Sequence, residues 1–84
     1  MNPRVKYVYP KNDYIIEIIF SNNEKKYFDI KPYLNFGIFQ DLKNEYVFNT
    51  VKASCGTAVW NNGIDICPDT LYLESRPDRV DKVG

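Results

Sequence analysis

Few side chains of this sequence could carry out chemistry of their own, and the two cysteines are the first to consider. Cys55 and Cys67 are separated by twelve positions, and the chain contains no histidine. A thiolate nucleophile needs an activating base, and a tetrahedral zinc site needs more ligands than one pair of cysteines supplies. We therefore favour two small, reduced, partly buried cysteines over a disulfide or a metal-binding pair.

General acid–base catalysis and phosphate binding have little support in the residue types. Histidine, the side chain best suited to proton transfer near neutral pH, is missing from the sequence. The four glycines are dispersed and form no phosphate-binding loop. We expect a protein that is not an enzyme and that uses no metal and no other cofactor.

One cluster is a candidate binding site, and it lies in the last third of the chain. It comprises the only tryptophan, an asparagine in a turn, an acid between isoleucines and a tyrosine, namely Trp60, Asn62, Asp65 and Tyr72. In the favoured interpretation both aromatics belong to the core, and Asp65 is hydrogen-bonded at the loop or at a helix start, because a buried charge must be paired. In the alternative, the cluster forms one edge of a binding groove with the asparagine loop at its rim.

A hairpin must position this cluster, since Asn61–Gly63 is a turn sequence between two apolar runs. A two-residue loop would place Trp60 beside Asp65, whereas a three-residue loop places Trp60 against Ile64. A slip of one residue moves every side chain to the opposite face, and only the longer loop keeps the apolar side chains together. Its glycine also adopts positive φ without steric cost. We predict the three-residue loop.

A similar hairpin is predicted near the N-terminus, between strands at Tyr14–Phe20 and Glu24–Ile30. Matching their apolar even-numbered faces requires an odd loop, so Asn23 should take a left-handed conformation, which asparagine tolerates well. A preceding strand over Arg4–Tyr9 is predicted to end at Pro10. One face of that strand should carry Val5, Tyr7 and Tyr9.

The remaining elements are short. Two helical turns are predicted at Ile30–Leu34, with Asp29 as its cap, and at Ile38–Leu42. Strand character resumes over Tyr46–Ala53, is interrupted at Ser54–Gly56, continues over Thr57–Trp60, and is followed by a short helix from Pro68. The sequence thus predicts an α+β fold with a small, mostly antiparallel sheet of about five or six short strands and two or three short helices. Residues 1–75 should form a single domain, and residues 76–84 a charged, loosely ordered tail.

Charge and hydropathy argue against a membrane protein. Eleven basic residues balance eleven acidic ones, so no net charge draws the chain to a polyanion or a membrane surface. No apolar run approaches the roughly 20 residues of a membrane span, and the N-terminus lacks the apolar centre of a signal peptide. We expect a cytoplasmic protein.

Nucleic-acid binding is the alternative from a different functional class. It would require basic side chains of the first and third strands to lie on neighbouring strands and to cluster with those of the tail. The residues concerned are Arg4, Lys6, Lys25, Lys26, Arg76, Arg79 and Lys82. Basic residues on strand edges more often prevent unwanted pairing between sheets, so we rank this interpretation second.

The C-terminal third also resembles a known bacterial family. Trp60, Asn62, Gly63, Asp65, Ile66, Pro68, Leu71 and Tyr72 spell W-x-N-G-x-D-I-x-P-x-x-L-Y. This motif is similar to that of domain-of-unknown-function family 2442, and the resemblance extends over nearly all of residues 3–75. Two positions depart from the pattern, Asn61 where such motifs often carry proline and Asp69 where glutamate is usual.

The resemblance implies a small α+β domain without an established activity. Some members of the family resemble partners of small toxin-like proteins that are encoded alongside them. We therefore expect a small, non-catalytic protein-interaction module, antitoxin-like or an adaptor, whose partner is another small protein or a second copy of itself. An exposed sheet edge could add a strand from such a partner.

Overall fold

Alternating apolar residues and two tight loops build an antiparallel sheet of three strands. The computed structural model describes residues 2–77, and its first three strands are β1 (Val5–Lys11), β2 (Ile15–Phe20) and β3 (Lys25–Asp29). Strand β2 lies between the other two. Its even-numbered side chains from Ile16 to Phe20 are completely buried, as the apolar pattern predicts.

The loop between β2 and β3 has the predicted length. Phe20 N donates to the carbonyl oxygen of Glu24 at 2.9 Å, and the register pairs Ile16 with Phe28. Three residues therefore lie between the strands, and Asn23 has φ 71°. The prediction of a left-handed asparagine is confirmed.

Strand β1 differs from its prediction in two ways. It continues through Pro10 to Lys11, which pairs with Ile15. Proline is tolerated because β1 is an edge strand of this sheet. A shift of register between Val5 and Tyr7 also changes which side chains face inward. Val5 and Val8 are buried, whereas Tyr7 and Tyr9 are exposed.

A second sheet of two strands, β4 (Lys52–Ser54) and β5 (Thr57–Val59), follows later in the chain. Ser54 pairs with Thr57, so Cys55 and Gly56 form a two-residue turn in which both φ angles are positive, 52° and 78°. This is the geometry of a tight hairpin. The predicted interruption is therefore the turn that separates two paired strands.

The predicted strand over Tyr46–Ala53 is wrong in its first half. Residues Glu45–Phe48 form a short helix, α1, because the side chain of Asn44 accepts a hydrogen bond from Tyr46 N at 2.9 Å. Phe48 is buried on one side of this helix. Burial and capping thus override the β-propensity of these aromatic and β-branched residues.

Most of the other short helices lie where they were expected. A 3-10 turn covers Lys31–Tyr33, and Asp29 Oδ1 accepts a hydrogen bond from Lys31 N at 2.9 Å. A longer 3-10 segment spans Gly37–Lys43 and buries Leu42. A third 3-10 turn, Asn12–Tyr14, was not predicted; it connects β1 to β2 and includes Tyr14, which the sequence predicted to lie in the following strand. The last helix, α2 (Pro68–Glu74), begins at the predicted proline.

The loop after Trp60 also has the predicted register. Trp60 N donates to the carbonyl oxygen of Ile64 at 2.9 Å, and Gly63 has φ 89°. Trp60 and Ile64 are both buried, and so are Ala58 and Ile66. The tryptophan and the neighbouring aliphatic side chains therefore point into one shared interior, as predicted.

The ordered contacts of the sheet extend one residue beyond the predicted domain boundary at 75. Arg76 forms an antiparallel bridge with Tyr27 of β3. Residues 78–84 of the predicted tail, with Arg79 and Lys82, lie outside the described residues. Within the described part of the chain, no helix has the length and apolar character needed to cross a membrane.

Candidate functional site

Trp60 is part of the core. Its side chain is 1% exposed, and its Nε1 donates to the carbonyl oxygen of Phe48 at 2.9 Å. The centroids of the Trp60 and Phe48 rings lie 6.4 Å apart. The indole thus fastens the hairpin of the second sheet to α1, in agreement with the favoured structural interpretation.

Asn62 and Asp65 both lie at the surface. Asn62 Oδ1 accepts a hydrogen bond from Ile64 N at 3.2 Å, so this side chain stabilises its own loop. Asp65 pairs with Val59 across the hairpin and is exposed. The expectation of a buried, hydrogen-bonded acid is wrong, because the three-residue loop turns Asp65 to the face opposite Trp60. Helix α2 starts without a side-chain cap.

Tyr72 belongs to a polar cluster that joins α2 to the loop between β2 and β3. Its hydroxyl donates to Glu24 Oε1 at 2.5 Å. Lys26 Nζ lies 3.8 Å from the centroid of the Tyr72 ring and donates to the Tyr72 carbonyl oxygen at 3.1 Å. Phe20 packs edge-on against the same ring at 5.0 Å between centroids. These contacts give Tyr72 a structural role.

The hydrogen bond between Tyr72 and Glu24 shifts the pKa of both side chains. The Tyr72 hydroxyl, followed by the Asn22 amide, lowers the pKa of Glu24 because both donate to its charged form. The same bond to Glu24 raises the pKa of Tyr72 because it favours the protonated hydroxyl. The hydrogen bond between Tyr72 and Glu24 is therefore strongest where the carboxyl is ionised and the phenol is protonated.

We expect the free energy of unfolding of Tyr72→Phe to depend less on pH than that of the wild type, both in the acidic and in the alkaline range. In the wild type, the contribution of the lowered Glu24 pKa is present above the unfolded pKa and is lost as pH falls through the folded value. The contribution of the raised Tyr72 pKa is present below the unfolded pKa and is lost as pH rises through the folded value. Urea unfolding from about pH 2 to about pH 11, a range that spans both groups, measures the two profiles.

The matched control for this experiment is Tyr46→Phe, because Tyr46 is 87% exposed. Its pH profile should follow that of the wild type. Identical profiles for Tyr72→Phe and the wild type would contradict the assigned origin of both pKa shifts.

The four candidate residues do not form one surface. Trp60 contacts Phe48 in the interior, Asn62 bonds within its loop, and Tyr72 bonds to the loop after β2. Asp65 is exposed on the other face of its hairpin. A groove that uses all four side chains is therefore not formed by the described structure, and the separate surface positions of Asn62 and Asp65 stay candidates.

The structure also separates the basic residues of the nucleic-acid interpretation. That interpretation required β1 and β3 to be neighbours, but β2 lies between them. Lys26 is engaged with Tyr72 and is not available as an independent cation. The condition on which this interpretation depended is therefore not met, because β1 and β3 both pair with the same central strand.

Both cysteines are free and exposed, so the expectation that they are partly buried is wrong. Cys55 lies in the tight turn between β4 and β5, and Cys67 immediately precedes α2. The backbone N–H of Thr70, followed by that of Asp69, lowers the pKa of the Cys67 thiol. Among residues 2–77, no group of three or more Cys, His, Asp or Glu side chains could hold a metal ion.

Two clefts that sequence reasoning did not identify are present. The larger, about 740 Å³, lies beside the turn between β1 and β2, where Asp13 and Tyr14 both have positive φ. The smaller, about 330 Å³, lies beside β3 and is lined by Tyr27, Phe28, Asp29, Pro32, Tyr33, Glu74 and Arg76. In the smaller cleft, burial raises the pKa of Tyr33, and the hydrogen bond to Glu74 at 2.9 Å adds to this rise.

The outer edge of β3 borders the smaller cleft. Phe20 N donates to Glu24 O and Ile30 N donates to Tyr14 O, so even-numbered residues of β3 face β2. The backbone groups of Lys25, Tyr27 and Asp29 therefore point away from the sheet. At Tyr27 they are paired, since its N donates to Arg76 O at 2.7 Å and its O accepts from Arg76 N at 2.8 Å.

The edge of β1 is less suited to pairing. Because the odd-numbered residues of β2 face β1, the backbone groups of Val8 and Pro10 point outward. Pro10 has no N–H to donate. Near the other end of the strand, Val5 N already donates to Gly56 O at 3.0 Å. Of the two sheet edges, β3 therefore offers the more complete row of donors and acceptors.

Comparison with known proteins identifies the family of the chain. No curated protein and no solved structure shows significant similarity to the chain. A family model, described as a protein of unknown function (DUF2442), matches residues 5–77, which include all the strands and both α-helices of the described residues. The predicted family is confirmed, and the chain belongs to DUF2442.

Proposed function

We propose that this protein is a small, non-catalytic, cytoplasmic interaction module, antitoxin-like or an adaptor, that binds an extended segment of a partner polypeptide along the edge of β3. The observation that carries the proposal is the pairing of Tyr27 with Arg76 by two backbone hydrogen bonds. An extended segment already lies against this edge, so its geometry suits strand addition.

The groups beside Tyr27 support the same role. Lys25 and Asp29 turn their backbone donors and acceptors outward on either side of the bridge. The cleft of about 330 Å³ next to Asp29 is lined in part by Phe28 and Tyr33, whose rings stack with 5.6 Å between their centroids. Main-chain bonds would supply affinity, and this cleft would select a side chain of the partner.

The partner that we propose is another small protein or a second copy of the chain. The balanced charge of the protein does not favour a polyanion over a polypeptide. The resemblance of some family members to partners of small, co-encoded, toxin-like proteins supports a protein partner. The segment that binds is expected to be extended, with an apolar or aromatic side chain opposite the cleft.

The test is to replace Lys25 by proline and by alanine. Because the Lys25 N–H points outward, Lys25→Pro removes a donor for the partner without removing a bond to β2. We expect Lys25→Ala to bind the protein that co-purifies with the wild type from its host as tightly as the wild type does, and Lys25→Pro to bind it about tenfold more weakly. Titration of the recovered partner with each purified variant measures this difference.

Two results would contradict strand addition at β3. The first is equal partner affinity for the proline and alanine variants, provided that circular dichroism shows both to be folded. The second is retention on a polyanion column that falls steeply with salt, which would indicate phosphate contacts and hence nucleic-acid binding.

A further inference from the structure

We propose that the occupant best fitted to the β3 edge is a second copy of this chain, and that the segment Ser75–Pro77 controls access to it. This inference rests on the proposed strand addition at β3, and it names both the partner and its regulation. It follows from the register of the edge residues and from the residues that cover the edge.

The edge is complementary to itself. If two copies of β3 pair antiparallel with Tyr27 opposite the second copy's Tyr27, Tyr27 can exchange the same two backbone bonds that it now makes with Arg76. In this register Lys25 lies opposite the second copy's Asp29, and Asp29 opposite the second copy's Lys25. Opposite charges and an aromatic pair directly across a ladder both favour pairing.

Other registers are less favourable. A slip of two residues places Lys25 opposite the second copy's Tyr27, or Tyr27 opposite the second copy's Asp29, so both pairs of opposite charges are lost. A slip of four residues places the two Lys25 side chains, or the two Asp29 side chains, opposite each other. Like charges directly opposite destabilise a strand pair. A slip of one residue places the outward-facing backbone groups of one copy opposite residues whose backbone groups face β2, so these hydrogen bonds cannot form. The register with Tyr27 opposite Tyr27 therefore keeps the most edge pairs and is the one that retains both pairs of opposite charges. It is a two-fold arrangement, that is, an isologous interface.

The segment Ser75–Pro77 occupies the centre of this interface. Arg76 takes both outward backbone groups of Tyr27, so a second copy can pair there only after Arg76 leaves. Because the backbone N–H and C=O of Arg76 point towards β3, the backbone groups of Pro77 point away from it. Proline has no N–H to donate on that side. The covered edge therefore presents no donor at Pro77 and cannot simply extend the sheet.

The segment is attached in a way that allows it to leave. Ser75 is buried, and its N donates to the carbonyl oxygen of Leu71 at 3.1 Å, which ends α2. Beyond Ser75, the two bonds with Tyr27 are the backbone bonds that hold Arg76 to the sheet. The helix can stay docked while Arg76 and Pro77 separate from β3.

The interface is small, since three residue pairs are shared between the two edges. Contacts of this size are typical of weak, transient association. We therefore expect the wild type to be mainly monomeric at low concentration, and self-association to rise strongly when Arg76 can no longer pair.

The experiment compares full-length Arg76→Pro with full-length Arg76→Ala. The proline variant lacks the N–H that donates to Tyr27, whereas the alanine variant retains it. The φ −78° and ψ 160° of Ser75 suit a residue before proline, so this change should not disturb α2. We expect the dimer dissociation constant, measured by sedimentation equilibrium up to about 1 mM, to be at least about tenfold lower for Arg76→Pro.

Charge variants in the Arg76→Pro background test the register. Lys25→Glu alone and Asp29→Lys alone should each weaken self-association, because each places like charges opposite one another. An equal mixture of the two should associate again, because both pairs formed between positions 25 and 29 then have opposite charges. Lys25→Pro should abolish association. Asp29→Lys loses the contact between Asp29 and Lys31, and if it fails to fold for that reason, Lys25→Pro alone tests whether β3 forms the interface.

Several outcomes would overturn the inference. They are a folded but monomeric Arg76→Pro, a dimer that Lys25→Pro does not affect, or a mixture that fails to associate although both variants are folded. If Arg76→Pro is unfolded, hydrogen exchange of the wild type decides, since the amides of Lys25 and Asp29 should become more protected as concentration rises. A monomeric Arg76→Pro that still binds another protein in a Lys25→Pro-sensitive manner would refute self-pairing and leave the proposed function standing.

Discussion

Trp60→Ala is expected to lower the free energy of unfolding by about 3–5 kcal/mol. The side chain is 1% exposed, and its removal would leave a large cavity and delete one of the two hydrogen bonds that Phe48 O accepts, the other coming from Val51 N at 3.3 Å. An 84-residue domain has a total stability of about 4–13 kcal/mol. The substitution should therefore unfold a substantial fraction of the protein, which chemical denaturation followed by circular dichroism would measure.

Trp60→Phe separates the two contributions to this loss. Phenylalanine keeps most of the apolar contact with the core but cannot donate to Phe48 O. We expect a loss of about 0.5–1.5 kcal/mol, the net contribution of one hydrogen bond, because Phe48 O still accepts from Val51 N. A loss for Trp60→Phe as large as that for Trp60→Ala would show that the hydrogen bond dominates over packing.

Leu71→Ala is expected to lower the free energy of unfolding by about 2–5 kcal/mol. Leu71 is fully buried on the inner side of α2, whose seven residues cannot form a stable helix without packing. The chain supplies a matched control two positions later, because Leu73 lies on the same helix and is 68% exposed. Leu73→Ala should change the stability by no more than about 0.5 kcal/mol.

These two leucine variants also bear on the β3 edge. Helix α2 leads directly to Arg76, which covers Tyr27. Loosening the helix should release this segment, so amide exchange at Tyr27 should accelerate in Leu71→Ala and stay unchanged in Leu73→Ala. Equal stability of the two variants would show that α2 does not depend on burial of Leu71.

The hairpins were determined by the sequence itself. The parity of the apolar positions on either side of Ser21–Asn23 and of Asn61–Gly63 allows only an odd loop, and Asn23 and Gly63 are residues that tolerate positive φ. Such patterns act over a few residues, so they can be recognised without knowing the rest of the fold. The start of α2 at Pro68 was predictable for the same reason.

Other features depended on contacts that the sequence does not display. Helix α1 replaces a predicted strand because Phe48 is buried beneath Trp60, and the register shift in β1 brings both Val5 and Val8 into the core. Each of these results follows from packing between segments that are distant along the chain. Local propensity is too weak to compete with such packing.

The proposed binding edge was decided in the same way. Tyr27 and Arg76 are far apart in the sequence, and only the position of α2 brings them together. The sequence by itself determined the family, the α+β composition and the registers of its loops. The tertiary structure alone decided that Asp65 is exposed, that the candidate residues are separated, and that Arg76 covers the open edge of the sheet, because all three depend on how the elements pack.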